Sequence, residues 1–111
     1  SKKEEEQVLI NEGKRVIKQL KDQDYLVLID LHGKEYDSLS LAANFQKIIS
    51  QHSSITFVIG GSLGLSDELR SLSKERWCLS KLTFPHQLTR VLVLEQLYRV
   101  FKINNNEIYH K

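Results

Sequence analysis

The sequence predicts an α/β fold built on a parallel sheet with helices packed on it, and three observations predict it. Residues 25–29 (Tyr-Leu-Val-Leu-Ile) and 55–59 (Ile-Thr-Phe-Val-Ile) are continuously apolar and rich in strand formers, the pattern of strands covered on both faces. Segments with helical periodicity alternate with these runs, as parallel connections require. A glycine-rich turn, Gly60-Gly61-Ser62-Leu63-Gly64-Leu65, follows the second run. Such a turn lets a ligand approach the backbone closely. It has neither the Walker pattern nor the dinucleotide glycine spacing, and plain turn chemistry explains it equally well.

The elements follow in order. Residues 4–21 form an amphipathic helix with Leu9, Gly13, Val16, Ile17 and Leu20 on one face and Glu4, Glu5 and Glu6 at its positive end. A glycine within that face costs about 1 kcal/mol against alanine, so close packing on a neighbour is expected at Gly13. Strand 25–29 ends in a turn-like segment, Asp30-Leu31-His32-Gly33-Lys34. Asp37 or Ser38 then caps a helix whose apolar face is Leu41, Ala42, Phe45, Ile48 and Ile49. After strand 55–59 and the glycine turn, Ser66 caps a short helix over 67–73, and a third strand spans about 76–79.

The segment Ser80-Lys81-Leu82-Thr83-Phe84-Pro85-His86 holds the only proline, placed to be the first residue of a helix over 87–102. That helix carries Leu88, Val91, Leu92, Val93, Leu94, Leu97, Tyr98, Val100 and Phe101 in nearly every direction. It must be covered on more than one side, and a second subunit is the expected cover. A polar tail follows and ends in Tyr109-His110-Lys111.

Composition bounds the function. A chain of 111 residues with 41% hydrophobic and 27% charged side chains is one domain, 1–111, and not a disordered segment. No apolar run is long enough to span a bilayer, and no signal-peptide pattern opens the chain, so no membrane association is expected. The single cysteine, Cys78, sits in an apolar run and reads as a small buried residue, consistent with a cytosolic location. Residues 1–69 carry 8 basic and 11 acidic side chains, whereas residues 70–111 carry 8 basic and 3 acidic. The basic surplus of the second half points weakly to a polyanionic partner. No group of His, Cys, Asp and Glu has metal-ligand spacing, and His32 and His52 read as surface residues.

In open parallel sheets, ligands bind beyond the carboxyl ends of the strands. Here those ends are Ile29-Asp30, Ile59-Gly60-Gly61 and Leu79-Ser80-Lys81, which together predict a small-molecule site of unspecified ligand.

Four motifs carry a resemblance: Ile59-Gly60-Gly61-Ser62-x-Gly64-Leu65, Leu79-Ser80-x-Leu82-Thr83-x-Pro85-His86-x-x-x-Arg90-Val91, Glu95-Gln96-Leu97-Tyr98-Arg99 and the ending Tyr109-His110-Lys111. In this order and spacing they resemble the RlmH-type large-subunit ribosomal RNA methyltransferases of the SPOUT superfamily, which modify N3 of a pseudouridine. The resemblance covers the whole chain. It implies a C-terminal trefoil knot, an obligate homodimer and S-adenosylmethionine bound in a bent shape within the knot. Matched residue by residue, it implies cofactor contacts at Ile29, Gly60, Leu79, Ser80, Lys81, Leu82, Thr83 and Phe84. Family members begin with a further strand–helix–strand unit that does not precede the helix at 4–21 here.

Methyl transfer to N3 needs the imide proton removed at or before attack, by a base near neutral pKa or with a donor stabilising the anion. His110 and Tyr109 are the first candidates and His86 the next, with base stacking, tail ordering or a turn hydrogen bond as their competing roles. Arg90, Arg99 and Lys111 are candidates for contacting the RNA, although Glu95 and Arg99 are also spaced as a helix ion pair. So small a chain is expected to meet its RNA on the assembled ribosome, by shape and a presented loop. The rival readings are a knotted dimeric scaffold or fragment without activity, and a nucleotide-binding module that uses the glycine turn for ATP or NAD.

Overall fold

The computed structural model describes residues 1–61 and 63–109. Its elements alternate as α1 (Lys2–Gln19), β1 (Tyr25–Glu35), α2 (Ser38–Gln51), β2 (Ile55–Ile59), α3 (Asp67–Leu72), β3 (Glu75–Cys78) and α4 (His86–Asn104). The three strands form a parallel sheet in the order β2-β1-β3. Sheet and helices are thus of the α/β class expected, with β1 central.

Alternation along β1 divides the core. Val27 joins Leu41, Ala42, Phe45 and Ile48 of α2, Trp77 of β3 and Val100 of α4 in one cluster. Leu26 and Leu28 point the other way and meet Leu65, Leu69 and the partly buried Val16 and Ile17 of α1 and its C-cap Leu20. Val27, Leu28 and Val100 are sealed from solvent, and burying a side chain of this size contributes about 1.5–3 kcal/mol. One sheet face therefore carries α2 and α4 and the other α1 and α3.

Caps follow the local chemistry. Asp37 accepts a hydrogen bond from Ser40 N at 2.7 Å and starts α2, and Ser66 accepts from Leu69 N at 3.2 Å and starts α3. Gly13 is where α1 crosses α3: an added Cβ would fall inside contact distance of Ser66 Oγ and 3.1 Å from Ser66 Cβ. That is the close packing expected of it.

Two expectations are corrected. The segment 30–34 is not a turn, because β1 continues through it to Glu35. Ile29 and Lys34 both pair with Trp77, so the residues between them form a bulge, after which pairing resumes at Glu35 with Cys78. Gly33 permits this: a Cβ there would lie 2.6–2.8 Å from backbone atoms of Arg76 and Trp77. Pro85, in turn, is the N-cap of α4 and not its first helical residue. Its extended backbone (φ −56°, ψ 148°) turns its carbonyl to accept Thr89 N at 3.0 Å, which begins the helical ladder with His86 as first residue.

The long helix has two apolar sides. Val93 and Val100 are buried, whereas Leu88, Val91, Leu94, Tyr98 and Phe101 are exposed, Val91 and Leu94 each at 59%. The exposed set recurs at intervals of three and four residues and makes one stripe. Among the described residues, no helix is long and apolar enough to cross a membrane.

Candidate functional site

The carboxyl ends of β2 and β3 and the bulge of β1 open into one cavity of about 400 Å³, within the size range of small-molecule sites. Its walls are residues 29–32 of β1 and its bulge, 59–61 and 63–65 of the glycine turn, 78–80 and 82–84 after β3, together with Arg70 and Thr89. The glycine turn is folded by its own backbone: Gly64 N donates to Gly61 O at 3.0 Å, and Gly64 takes φ +92°, a region that disfavours any side chain. Gly60 packs tightly behind it, since a Cβ there would lie 3.0 Å from both Gly64 O and Leu65 Cγ. The segment after β3 is tied down by Cys78 Sγ donating to Ser80 O at 3.1 Å and Leu82 N donating to Ser80 Oγ at 3.0 Å.

Seven of the eight residues expected to contact the cofactor line this one cavity: Ile29, Gly60, Leu79, Ser80, Leu82, Thr83 and Phe84. Lys81 does not. Its side chain is 84% exposed and its ammonium lies 3.8 Å from Glu35 Oε1. The segment 78–84 also borders a second cavity, of about 690 Å³, between Tyr36, Trp77 and Leu92.

Of the candidate proton-transfer residues, Tyr109 and His86 do not line the cavity. Asn106, at φ 59°, turns the chain back after α4, and Glu107 N donates to Lys102 O at 2.9 Å. Tyr109 thereby returns to α4, where its hydroxyl donates to Glu95 Oε2 at 3.1 Å and its ring meets Tyr98 edge-on at 5.0 Å. The Glu95 hydrogen bond raises the Tyr109 phenol above its ordinary pKa, with some help from desolvation. The phenol therefore stays protonated and serves as a donor. Glu95 itself is held below the usual carboxylate range, chiefly by Arg99. His86 is exposed at the first turn of α4, and Arg90 is exposed on the same helix. Arg99 bridges Glu95 through Nε at 3.2 Å and Nη2 at 3.1 Å, the ion pair its spacing allows. His110 and Lys111, like Ser62 of the glycine turn, lie outside the described residues.

Two polar cavity residues, His32 and Arg70, escaped the sequence reading, and Asp30 entered it only as a strand end. His32, expected at the surface, is exposed but sits on the cavity rim, placed there by the β1 bulge. Asp30 is buried where the bulge of β1 begins, and Arg70 reaches the wall from α3. The period of β1 puts Asp30 on the α3 side together with Leu26 and Leu28, a signal available in the sequence once the strand is extended. Arg70 had none. Among the described residues, no three His, Cys, Asp or Glu side chains gather as a metal site.

Fold and cavity define an α/β protein with a cavity of small-molecule size at one rim of a parallel sheet. The chain belongs to the SPOUT methyltransferase family, whose model, described as "Predicted SPOUT methyltransferase", matches residues 1–110. It is 48% identical over 109 residues to "Ribosomal RNA large subunit methyltransferase H" of Ruminiclostridium cellulolyticum, covering 97% of this chain and 69% of the relative. The protein of the same name from Clostridium acetobutylicum is 46% identical over 112 residues, covering 100% of this chain and 70% of the relative. That from Acetivibrio thermocellus is 50% identical over 109 residues, covering 97% and 69%.

Proposed function

We propose that this chain methylates large-subunit ribosomal RNA at N3 of a pseudouridine, using S-adenosylmethionine, and that it does so as a homodimer. The observation that carries the reading is the convergence of seven residues from three separate strand ends on one cavity. The kinship with proteins named for ribosomal RNA methylation supplies the substrate class.

The cavity residues suit the cofactor. Ile29, Leu79, Leu82 and Phe84 offer apolar walls for an adenine ring, and the glycine turn leaves backbone accessible to its polar edge. When bound, the cofactor supplies an activated methyl group with its own leaving group. The protein's part is alignment and proton removal. In this reading His110 takes the N3 proton, with His86 as second candidate. Tyr109, held protonated by Glu95, donates a hydrogen bond to the base and does not accept its proton. Arg90, Arg99 and Lys111 meet phosphate, Arg99 by exchanging part of its Glu95 pairing.

Dimerisation is supported by the exposed stripe Leu88, Val91, Leu94, Tyr98 and Phe101 on α4, which a second copy would cover. The trefoil threading of the C-terminal segment and a cytosolic location belong to the same reading. The test is transfer of labelled methyl groups to ribosomes that lack the modification, with the product nucleoside identified by mass spectrometry. Label in N3-methylpseudouridine of the large-subunit RNA is the expected result. A dimer that binds S-adenosylmethionine but transfers nothing to ribosomes would reduce the chain to a cofactor-binding scaffold. Equal labelling of short naked RNA and of ribosomes would overturn the part assigned to the assembled particle.

A further inference from the structure

We propose that Arg70 reads the amino-acid end of the cofactor by receiving its carboxylate, and that Asp30 positions Arg70 for the task. The inference rests on the reading of the cavity as the S-adenosylmethionine site. It begins with Asp30, whose side chain is only 6% exposed. One oxygen, Oδ1, accepts His32 N at 3.0 Å, while Oδ2 is buried without any hydrogen-bond partner. A buried carboxylate in that state demands nearby positive charge. Two guanidinium groups answer: Arg70 Nε at 3.7 Å and Arg76 Nη1 at 3.6 Å, both at ion-pair range but beyond hydrogen-bond range.

Charge therefore draws Arg70 to the cavity wall without using up its donors. Its one hydrogen bond to the protein runs from Nη1 to Asp67 Oδ1 at 3.1 Å, on a fully exposed carboxylate. Nη2 has no protein partner among the described residues, and the group is one-third exposed. Among the described residues that line the cavity, Arg70 is the only lysine or arginine. A planar fork with spare N–H groups is the natural partner of a carboxylate. Asp30 and Asp67 balance Arg70 and Arg76, so the cluster does not repel a sulfonium ion nearby.

The test compares S-adenosylhomocysteine with 5′-methylthioadenosine, which lacks the amino-acid end, by titration calorimetry. The unaltered chain should prefer S-adenosylhomocysteine. Arg70→Gln should weaken S-adenosylhomocysteine by about tenfold or more while 5′-methylthioadenosine stays within about twofold. Asp30→Asn should show the same split to a smaller degree. If Arg70→Gln fails to fold, Arg70→Lys keeps the charge without the fork and should still lose part of the preference. An Arg70 variant that binds both ligands like the unaltered chain, or weakens both equally, overturns the inference. Equal affinity of the unaltered chain for both ligands overturns it while leaving the cofactor reading intact; binding of neither overturns both.

Discussion

Gly13→Ala tests how the two outer helices of one sheet face are joined. The new methyl group would collide with Ser66 Oγ and lie 3.1 Å from Ser66 Cβ and 3.7 Å from Leu69 Cδ1. Ser66 Oγ is not free to yield, since it caps α3 by accepting Leu69 N at 3.2 Å. Overpacking costs about 1–3 kcal/mol and loss of a serine cap about 1 kcal/mol, against a helix-propensity gain of about 1 kcal/mol. The net expectation is a loss of about 1–3 kcal/mol, or roughly 5–15 °C in Tm for a domain of this size. Urea unfolding at equilibrium measures it. The mechanism is isolated in a Ser66→Ala background, where the colliding oxygen is gone and the cap already lost. There Gly13→Ala should cost less than about 1 kcal/mol. Equal cost in both backgrounds, or a stabilised Gly13→Ala single variant, would refute the reasoning.

Three further outcomes are expected. Gly33→Ala should destabilise by about 3 kcal/mol or more, because the obstructing atoms are backbone of Arg76 and Trp77 and cannot rotate away; no change in Tm would contradict the bulge. Burial works to raise the Glu75 pKa, but hydrogen bonds from Trp77, Tyr25 and Asn44 outweigh it and hold it below the ordinary 4.5. Its contribution to stability is therefore present above pH 4.5 and lost as pH falls through the lower folded value, so Glu75→Gln should flatten the acid limb of the stability profile. Lys81→Ala should leave S-adenosylmethionine affinity within about twofold, since the side chain leads away to Glu35; a tenfold loss by calorimetry would show that it folds back over the ligand.

Much of the site was legible because its signals are local. Glycines 60, 61 and 64 and the motif from Leu79 to Phe84 are contiguous, and the apolar runs of β1 and β2 place their ends on one rim. The Asp37 and Ser66 caps were readable for the same reason, each bonding to a residue three positions on. Arg70 was not readable, because a charged residue in a short surface helix looks alike whether or not a buried carboxylate lies opposite it. Asp30 and Arg70 are forty residues apart in sequence, and only packing of α3 on β1 brings them together.

The sequence by itself determined the α/β alternation and most residues at the strand ends, since hydrophobic period and capping chemistry act within a few residues, and its four motifs carried the family resemblance. Tertiary structure decided the rest. Residues 30–35 became strand because Lys34 and Glu35 gain pairing with Trp77 and Cys78 that no local preference records. The apolar surface of α4 was sorted into a buried side around Val93 and Val100 and an exposed stripe through Val91 and Leu94. Composition lists such residues alike; which of them lose water depends on where the sheet and α2 stand, and hydrophobic burial has no direction of its own until those surfaces are in place.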